Sequence, residues 1–327
     1  MQLAMLNYES TNQKFPAQGC SPEIRQIHPN PRSSRRWGFI PSLLPYLEQL
    51  PLHTSLITLI ETNSDARPWR QDTAHRGVTR TELTEILCPS DPNTSRTSGP
   101  NQTPGRTSYR ICRGDKRLEA TETRKRGVGV TGYKKKVGLG GISNADIADL
   151  TRIIPQSVKM KDITDGTSNT ISLGEARISI ASGDSRGGGY GIDPNAKGGN
   201  AAPSICQALI SGADGKYSSY TTNGSQAPGV RWGDSEEGFT SFFTFAAPNY
   251  PRCGIGNENW ACLPPSSYHP GGAVMAHVDG SVKFYNDNIN AGDPTAGGTN
   301  AGWTGQSERG VFGALGSING GEVNLAD

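Results

Sequence analysis

The sequence predicts an α+β fold, and three observations carry that prediction. Two runs, Ala273–Val278 and Ser281–Tyr285, are separated only by Asp279-Gly280, a pair favoured in tight hairpin turns. Near the start, Ala4, Met5 and Tyr8 recur at helical spacing beside Leu3 and Leu6. Gly (42) and Pro (22) are abundant in 327 residues, yet they are interleaved with Trp, Tyr, Phe and Ile. That mixture implies short elements and many turns around a core rather than disorder.

The elements follow in chain order within one elaborated domain over 1–327. Residues 1–15 read as the end of an N-terminal helix, closed by Pro16 and Gly19. So short a helix is marginal alone in water and reads as the end of a longer one. Trp37–Leu50 predicts a second helix, with Ser42 as N-cap and Leu43, Leu44, Leu47 and Leu50 on one face. Residues 106–136 hold 11 Lys/Arg against three acids, including Arg124-Lys125-Arg126 and Lys134-Lys135-Lys136, and predict a solvated basic insertion. The Gly/Ser-rich stretch 181–230 predicts a surface excursion. Phe239–Phe245 suits a buried strand. A hairpin with a type I′ turn at Asp279-Gly280 completes a β region over 239–290, with Val282 and Phe284 on one side of its second strand and Lys283 and Tyr285 on the other.

The net charge of +2 hides an asymmetry, +9 over residues 1–136 and −7 over 137–327. Uneven surface charge is common, but such a dipole also suits head-to-tail stacking of copies. The six cysteines (Cys20, Cys88, Cys112, Cys206, Cys253 and Cys262) include no C-x-x-C pair, which argues against zinc ribbons and thioredoxin-type redox sites. Cys253 and Cys262, nine apart in a loop-like stretch, are the candidate disulfide, and an oxidising extracytoplasmic compartment is favoured.

Catalytic signatures are missing: there is no nucleophile elbow, phosphate-cradling loop, H-E-x-x-H or dinucleotide fingerprint. His269 and His277 flank the first hairpin strand, about 26 Å apart along an extended chain and too far to share an ion. His269 is therefore read as bonding backbone at the hairpin base, and Asp279 as a turn residue. Asp162, Asp165 and Asn169 gather oxygen donors around Gly166 and are candidate calcium ligands, although turn formation uses the same residues. Asp234 with Glu236 or Glu237 is the carboxylate pair that a hydrolase would need. Trp37, Trp69, Trp232, Trp260 and Trp303 would be the stacking platforms of a glycan-binding module, although buried Trp is mostly core.

Six ordered blocks carry a resemblance. They are Leu6-Asn7-Tyr8 through Phe15-Pro16; Leu43-Leu44-Pro45-Tyr46-Leu47-Glu48-Gln49; Cys88-Pro89-Ser90-Asp91-Pro92; Asp162 to Glu175; Ala247 to Cys253; and Ser266 to Phe284. The last contains His269, nine residues, then Asp279-Gly280. Together they resemble bacterial prepilin-like exported proteins with a C-terminal H-x9-D-G motif, relatives of type IV pilins and type II secretion pseudopilins. The resemblance implies a pilin-like head with a helix remnant, an antiparallel sheet and large loop insertions. The family's leader and long apolar helix are not seen here, so membrane contact is expected only through that missing helix. The implied role is a non-catalytic structural subunit of an extracellular filament, surface assembly or secretion apparatus. It would sit outside the cell, at its surface or in the periplasm. The alternative is an extracellular solute- or glycan-binding module. Expected partners are further copies of the chain and, through 106–136, an anionic glycan or envelope component, with no specific nucleic acid. No cofactor is expected beyond calcium.

Overall fold

The N-terminal helix, α1 (Gln2–Asn12), forms at the expected place and buries Ala4, Met5 and Tyr8 while Leu3 stays 70% exposed. Gln13 ends it in the left-handed region, its backbone N–H donating to the Glu9 carbonyl. These features belong to a computed structural model, which describes residues 1–27, 36–70, 72–94, 104–116, 125–136, 143–149, 151–195, 202–211, 214–223, 227–256, 261–297 and 305–322.

Helix α2 covers Pro22–Ile27. The helix expected over Trp37–Leu50 is broken into α3 (Phe39–Leu43) and a 3-10 turn (Leu44–Leu47). Gly38, not Ser42, precedes α3, and Pro45 denies a continuing helix its N–H. Leu50, expected on the apolar face, is 59% exposed and instead opens a longer helix, α4 (Leu50–Thr62), which the sequence reading did not anticipate. Leu43, Leu44, Leu56 and Ile60 pack with α1, Trp37 and Trp232 in the main core.

The strands are β1 (Tyr109–Cys112), β2 (Tyr133–Lys135), β3 (Ile153–Pro155), β4 (Ile171–Glu175), β5 (Gly191–Ile192), β6 (Ile210–Ser211), β7 (Lys216–Tyr217), β8 (Ser241–Phe242), β9 (Cys253–Gly254), β10 (Ala261–Cys262), β11 (Gly272–His277) and β12 (Val282–Asn286). The largest sheet has the order β12-β11-β4-β1-β8. It is mixed rather than purely antiparallel, because β1 pairs in parallel with β8 while its other neighbour β4 runs antiparallel. The fold is α+β, as the sequence predicts.

Parts of two segments expected at the surface lie deep instead. The basic stretch supplies β1, an inner strand, and Arg110, Arg113 and Arg126 are fully buried. Arg126 makes a two-pronged ion pair with buried Asp115. Counting charges missed this because guanidinium groups enter a core once carbonyls and carboxylates satisfy them; Arg124 lies outside the described residues. The 181–230 excursion builds a second core, in which Tyr190 and Cys206 pack with Phe243, Phe245, Cys253 and Leu263. Cys206 bonds Cys253 there, closing a sequence separation of 47. The expected Cys253–Cys262 bond is therefore corrected. Those two residues are cross-strand partners in β9 and β10, but a sulfur forms one such bond and Cys206 holds it. Phe239–Phe245 is only partly strand: a short helix (Glu237–Thr240) leads into β8.

The β11–β12 hairpin is present, with a different turn. Ala276 pairs with Val282, and the Gly280 N–H donates to the His277 carbonyl. Only Gly280, at φ 95°, has positive φ among the turn residues. This is a type I turn followed by a glycine, the three-residue hairpin loop, rather than type I′.

Candidate functional site

Glu175 is the last residue of β4, and β4 is buried along its whole length between β1 and β11. The Glu175 carboxylate is fixed at one oxygen: Oε2 accepts from the Val274 N–H at 2.9 Å. Oε1 faces two other side chains. The Cys88 thiol donates to it at 3.5 Å, and His269 Nε2 lies 3.4 Å away. Cys88 Sγ and His269 Nε2 are 3.8 Å apart, closing a triangle. Among the described residues, these three form the one group of His, Cys, Asp and Glu whose ligand atoms lie close enough together to hold a metal ion.

Each corner is positioned by its own segment. Cys88 follows a 3-10 turn (Thr84–Ile86) and begins a tight turn in which the Asp91 N–H donates to the Cys88 carbonyl. Asp91 then accepts from the Asn93 and Ile178 N–H groups, anchoring that turn beside β4. His269 sits on the loop entering β11. Its backbone N–H donates to Ser267 Oγ, and Asn249 Oδ1 accepts from the Ser267 N–H while Asn249 Nδ2 donates to the Gly272 carbonyl. The side chain of His269 is 37% exposed and that of Glu175 only 5%, so the triangle opens to solvent on the histidine side. Burial pushes the Cys88 thiol and the Asp91 carboxyl up from their ordinary values. A cavity of about 10 Å³ lined by Cys88, Glu175, Ser267 and Tyr268 adjoins the cluster, room for about one water.

Behind the cluster lies a set of buried cations. Arg110 and Arg252 both donate to the Arg177 carbonyl, at 2.9 and 2.8 Å, and Arg177 donates to Asn249 Oδ1. Burial lowers Arg110 to about 9 and Arg177 to about 10, with Arg252 pushing each further down.

The expected site residues scatter differently. His269 does not show the expected bond to backbone: its ring meets the Cys88 and Glu175 side chains, and its backbone N–H donates to Ser267 Oγ. Asp279 is a turn residue, accepting from the Ser281 N–H and hydroxyl. His277, at the far end of β11, bonds the Tyr285 hydroxyl at 2.6 Å. Of the calcium candidates, Asp162 pairs with Lys125, Asp165 accepts from the Gly320 and Gly321 N–H groups, and Asn169 donates to the Asp165 carbonyl. Each of the three therefore has hydrogen-bond partners within the fold. Asp234 is ion-paired to Arg36 and Arg231, and Glu237 accepts from the Ala261 N–H, so neither is a poised acid or base. Trp37 and Trp232 are fully buried, Arg36 covers Trp69, and Trp260 and Trp303 lie outside the described residues.

Sequence reasoning missed Cys88 and Glu175 as partners of His269. Each stood in a separate block of the resemblance, and nothing in the linear order shows that three such blocks meet at one point. The chain belongs to the family described as "Protein of unknown function (DUF1559)", which matches residues 1–292. No curated protein and no solved structure matches it.

Proposed function

We propose that this member of the family is a non-catalytic, pilin-like structural subunit of an extracellular surface assembly. The observation that carries the reading is an uncovered apolar region where α1 begins beside the edge of the large sheet. Val282 and Phe284 on edge strand β12 are 61% and 51% exposed, and Leu3 on α1 is 70% exposed. A groove of about 270 Å³ adjoins Val282, and its walls include Met1, Leu173, Val274 and Ala276 together with Glu85 and Tyr109. An edge strand with exposed apolar side chains is a surface that pairs with another chain unless something covers it. The occupant proposed is a second copy, drawn by what remains of the +9/−7 charge division once the buried arginines are set aside. Helix α1 fits that role, because it is held at the groove rather than free: Gln2 Nε2 reaches the Val278 carbonyl, and Ser172 Oγ donates to Gln2 Oε1 at 2.6 Å.

The test is sedimentation with electron microscopy at low salt and rising concentration. Defined oligomers or fibres that weaken in high salt and in a Val282→Lys/Phe284→Lys variant are expected. A monomer under all these conditions would remove the reading.

A further inference from the structure

We infer that Cys88, Glu175 and His269 form a binding site for a divalent transition metal of zinc's kind. This goes beyond the assembly reading and does not rest on it. The first argument is metric. With Zn–S near 2.3 Å, Zn–N and Zn–O near 2.0–2.1 Å and tetrahedral angles, ligand atoms stand roughly 3.3–3.4 Å apart for N and O, and about 3.6 Å for S and either. The triangle has edges of 3.4 Å from His269 to Glu175, 3.5 Å from Cys88 to Glu175 and 3.8 Å from Cys88 to His269.

The second argument is arrangement. A nucleophilic triad is a chain in which the acid holds one imidazole nitrogen and the thiol meets the other. Here Glu175 Oε1 and Cys88 Sγ both approach the same nitrogen, Nε2, which gives a ring of ligands and no relay. The third is charge: a thiolate and a carboxylate balance a dication, with a neutral imidazole completing the set. A thiolate, imidazole and carboxylate together suit zinc better than calcium or magnesium, which take oxygen. The fourth is support. Glu175 Oε2 is fixed by the Val274 N–H, so Oε1 is the free coordinating oxygen, and outer hydrogen bonds of that sort orient metal ligands. Three protein ligands leave the fourth coordination position of such an ion to water. A bound ion would join the segment at Cys88, the end of β4 and the entrance to β11 at a single point.

The experiment uses the full chain, stripped with chelator under reducing conditions. Zinc is titrated against a chromophoric competitor, and cobalt is added in parallel. One metal per chain is expected, with a thiolate-to-cobalt charge-transfer band. Cys88→Ser abolishes the band. His269→Gln, at a half-exposed position that leaves the fold intact by circular dichroism, weakens zinc by at least the roughly 10–100-fold typical of losing an outer partner. His53→Gln, on α4, binds as the parent does. Binding at less than one metal per chain, or binding that survives both Cys88→Ser and His269→Gln, would overturn the assignment and leave an ordinary histidine–glutamate pair beside a thiol.

Discussion

The two ends of strand β11 differ in kind, although the H-x9-D-G pattern ties them together by fixed spacing. At the Asp279-Gly280 end the turn's backbone groups are committed to the fold. Gly280 takes φ 95°, and a Cβ there would stand 3.3 Å from Leu6 of α1. The Val278 N–H donates to the Thr170 carbonyl and the Asp279 N–H to the Thr167 carbonyl, while His277 Nε2 meets the Tyr285 hydroxyl within the core. At the His269 end the side chain is half-exposed and meets a thiol and a carboxylate across a small opening. One end therefore fixes where α1 sits, and the other presents chemistry. A spaced motif can thus hold two independent jobs at the two ends of one strand, and the strand between them sets the distance.

That contrast can be broken in graded steps. Gly280→Val forces a branched residue into left-handed backbone against α1 and is expected to cost about 3 kcal/mol, read by urea unfolding. Tyr285→Phe leaves the buried His277 ring without its hydroxyl partner, and a loss of about 2 kcal/mol is expected in the same assay. Acid acts next. Burial, with Lys283 adding to it, holds His277 down to about 4 from an ordinary 6.5. The unfolded chain therefore takes up a proton below pH 6.5 that the folded chain refuses. Stability is full above pH 6.5 and falls as pH drops toward 4, by about 1 kcal/mol at pH 5.5. A His277→Gln chain should show a shallower slope across that window. The smallest effect is at the other end: without metal, His269→Gln should change stability by less than about 0.5 kcal/mol. With zinc present, the parent should gain more in melting temperature than His269→Gln, since the intact site binds the added ion more tightly.

The sequence made one end far more legible than the other. The hairpin and α1 were readable because their signals are local: a turn dipeptide between alternating runs, and a helical repeat of Ala4, Met5 and Tyr8. The turn type was missed because Asp-Gly serves both a type I′ turn and a type I turn with a following glycine, and only the register separates them. The cluster at His269 was not readable, since its partners lie 181 residues away at Cys88 and on the far side of the β11–β4 pairing at Glu175. The buried arginines were misread for a related reason. Lys/Arg counts describe solvated charge, whereas Arg110 and Arg252 donate hydrogen bonds to the carbonyl of Arg177 inside the core. The disulfide likewise followed tertiary proximity, joining Cys206 to Cys253 rather than the sequence neighbours Cys253 and Cys262.

The strand order also sets a timetable. Of the pairings in the large sheet, only β11 with β12 joins neighbours along the chain; β1 must wait for β4 on one side and for β8, with Ile111 opposite Ser241, on the other. A hairpin closes in about 1–10 μs, whereas sheets dominated by distant pairings fold in milliseconds to seconds. During synthesis the future inner strand at Tyr109–Cys112 is made early and stays unpaired in this sheet until Glu175 and then Phe242 have emerged. The edge hairpin arrives last and completes the sheet. A nascent chain halted before residue 272 would thus carry the uncovered β4 edge against which β11 closes in the finished protein.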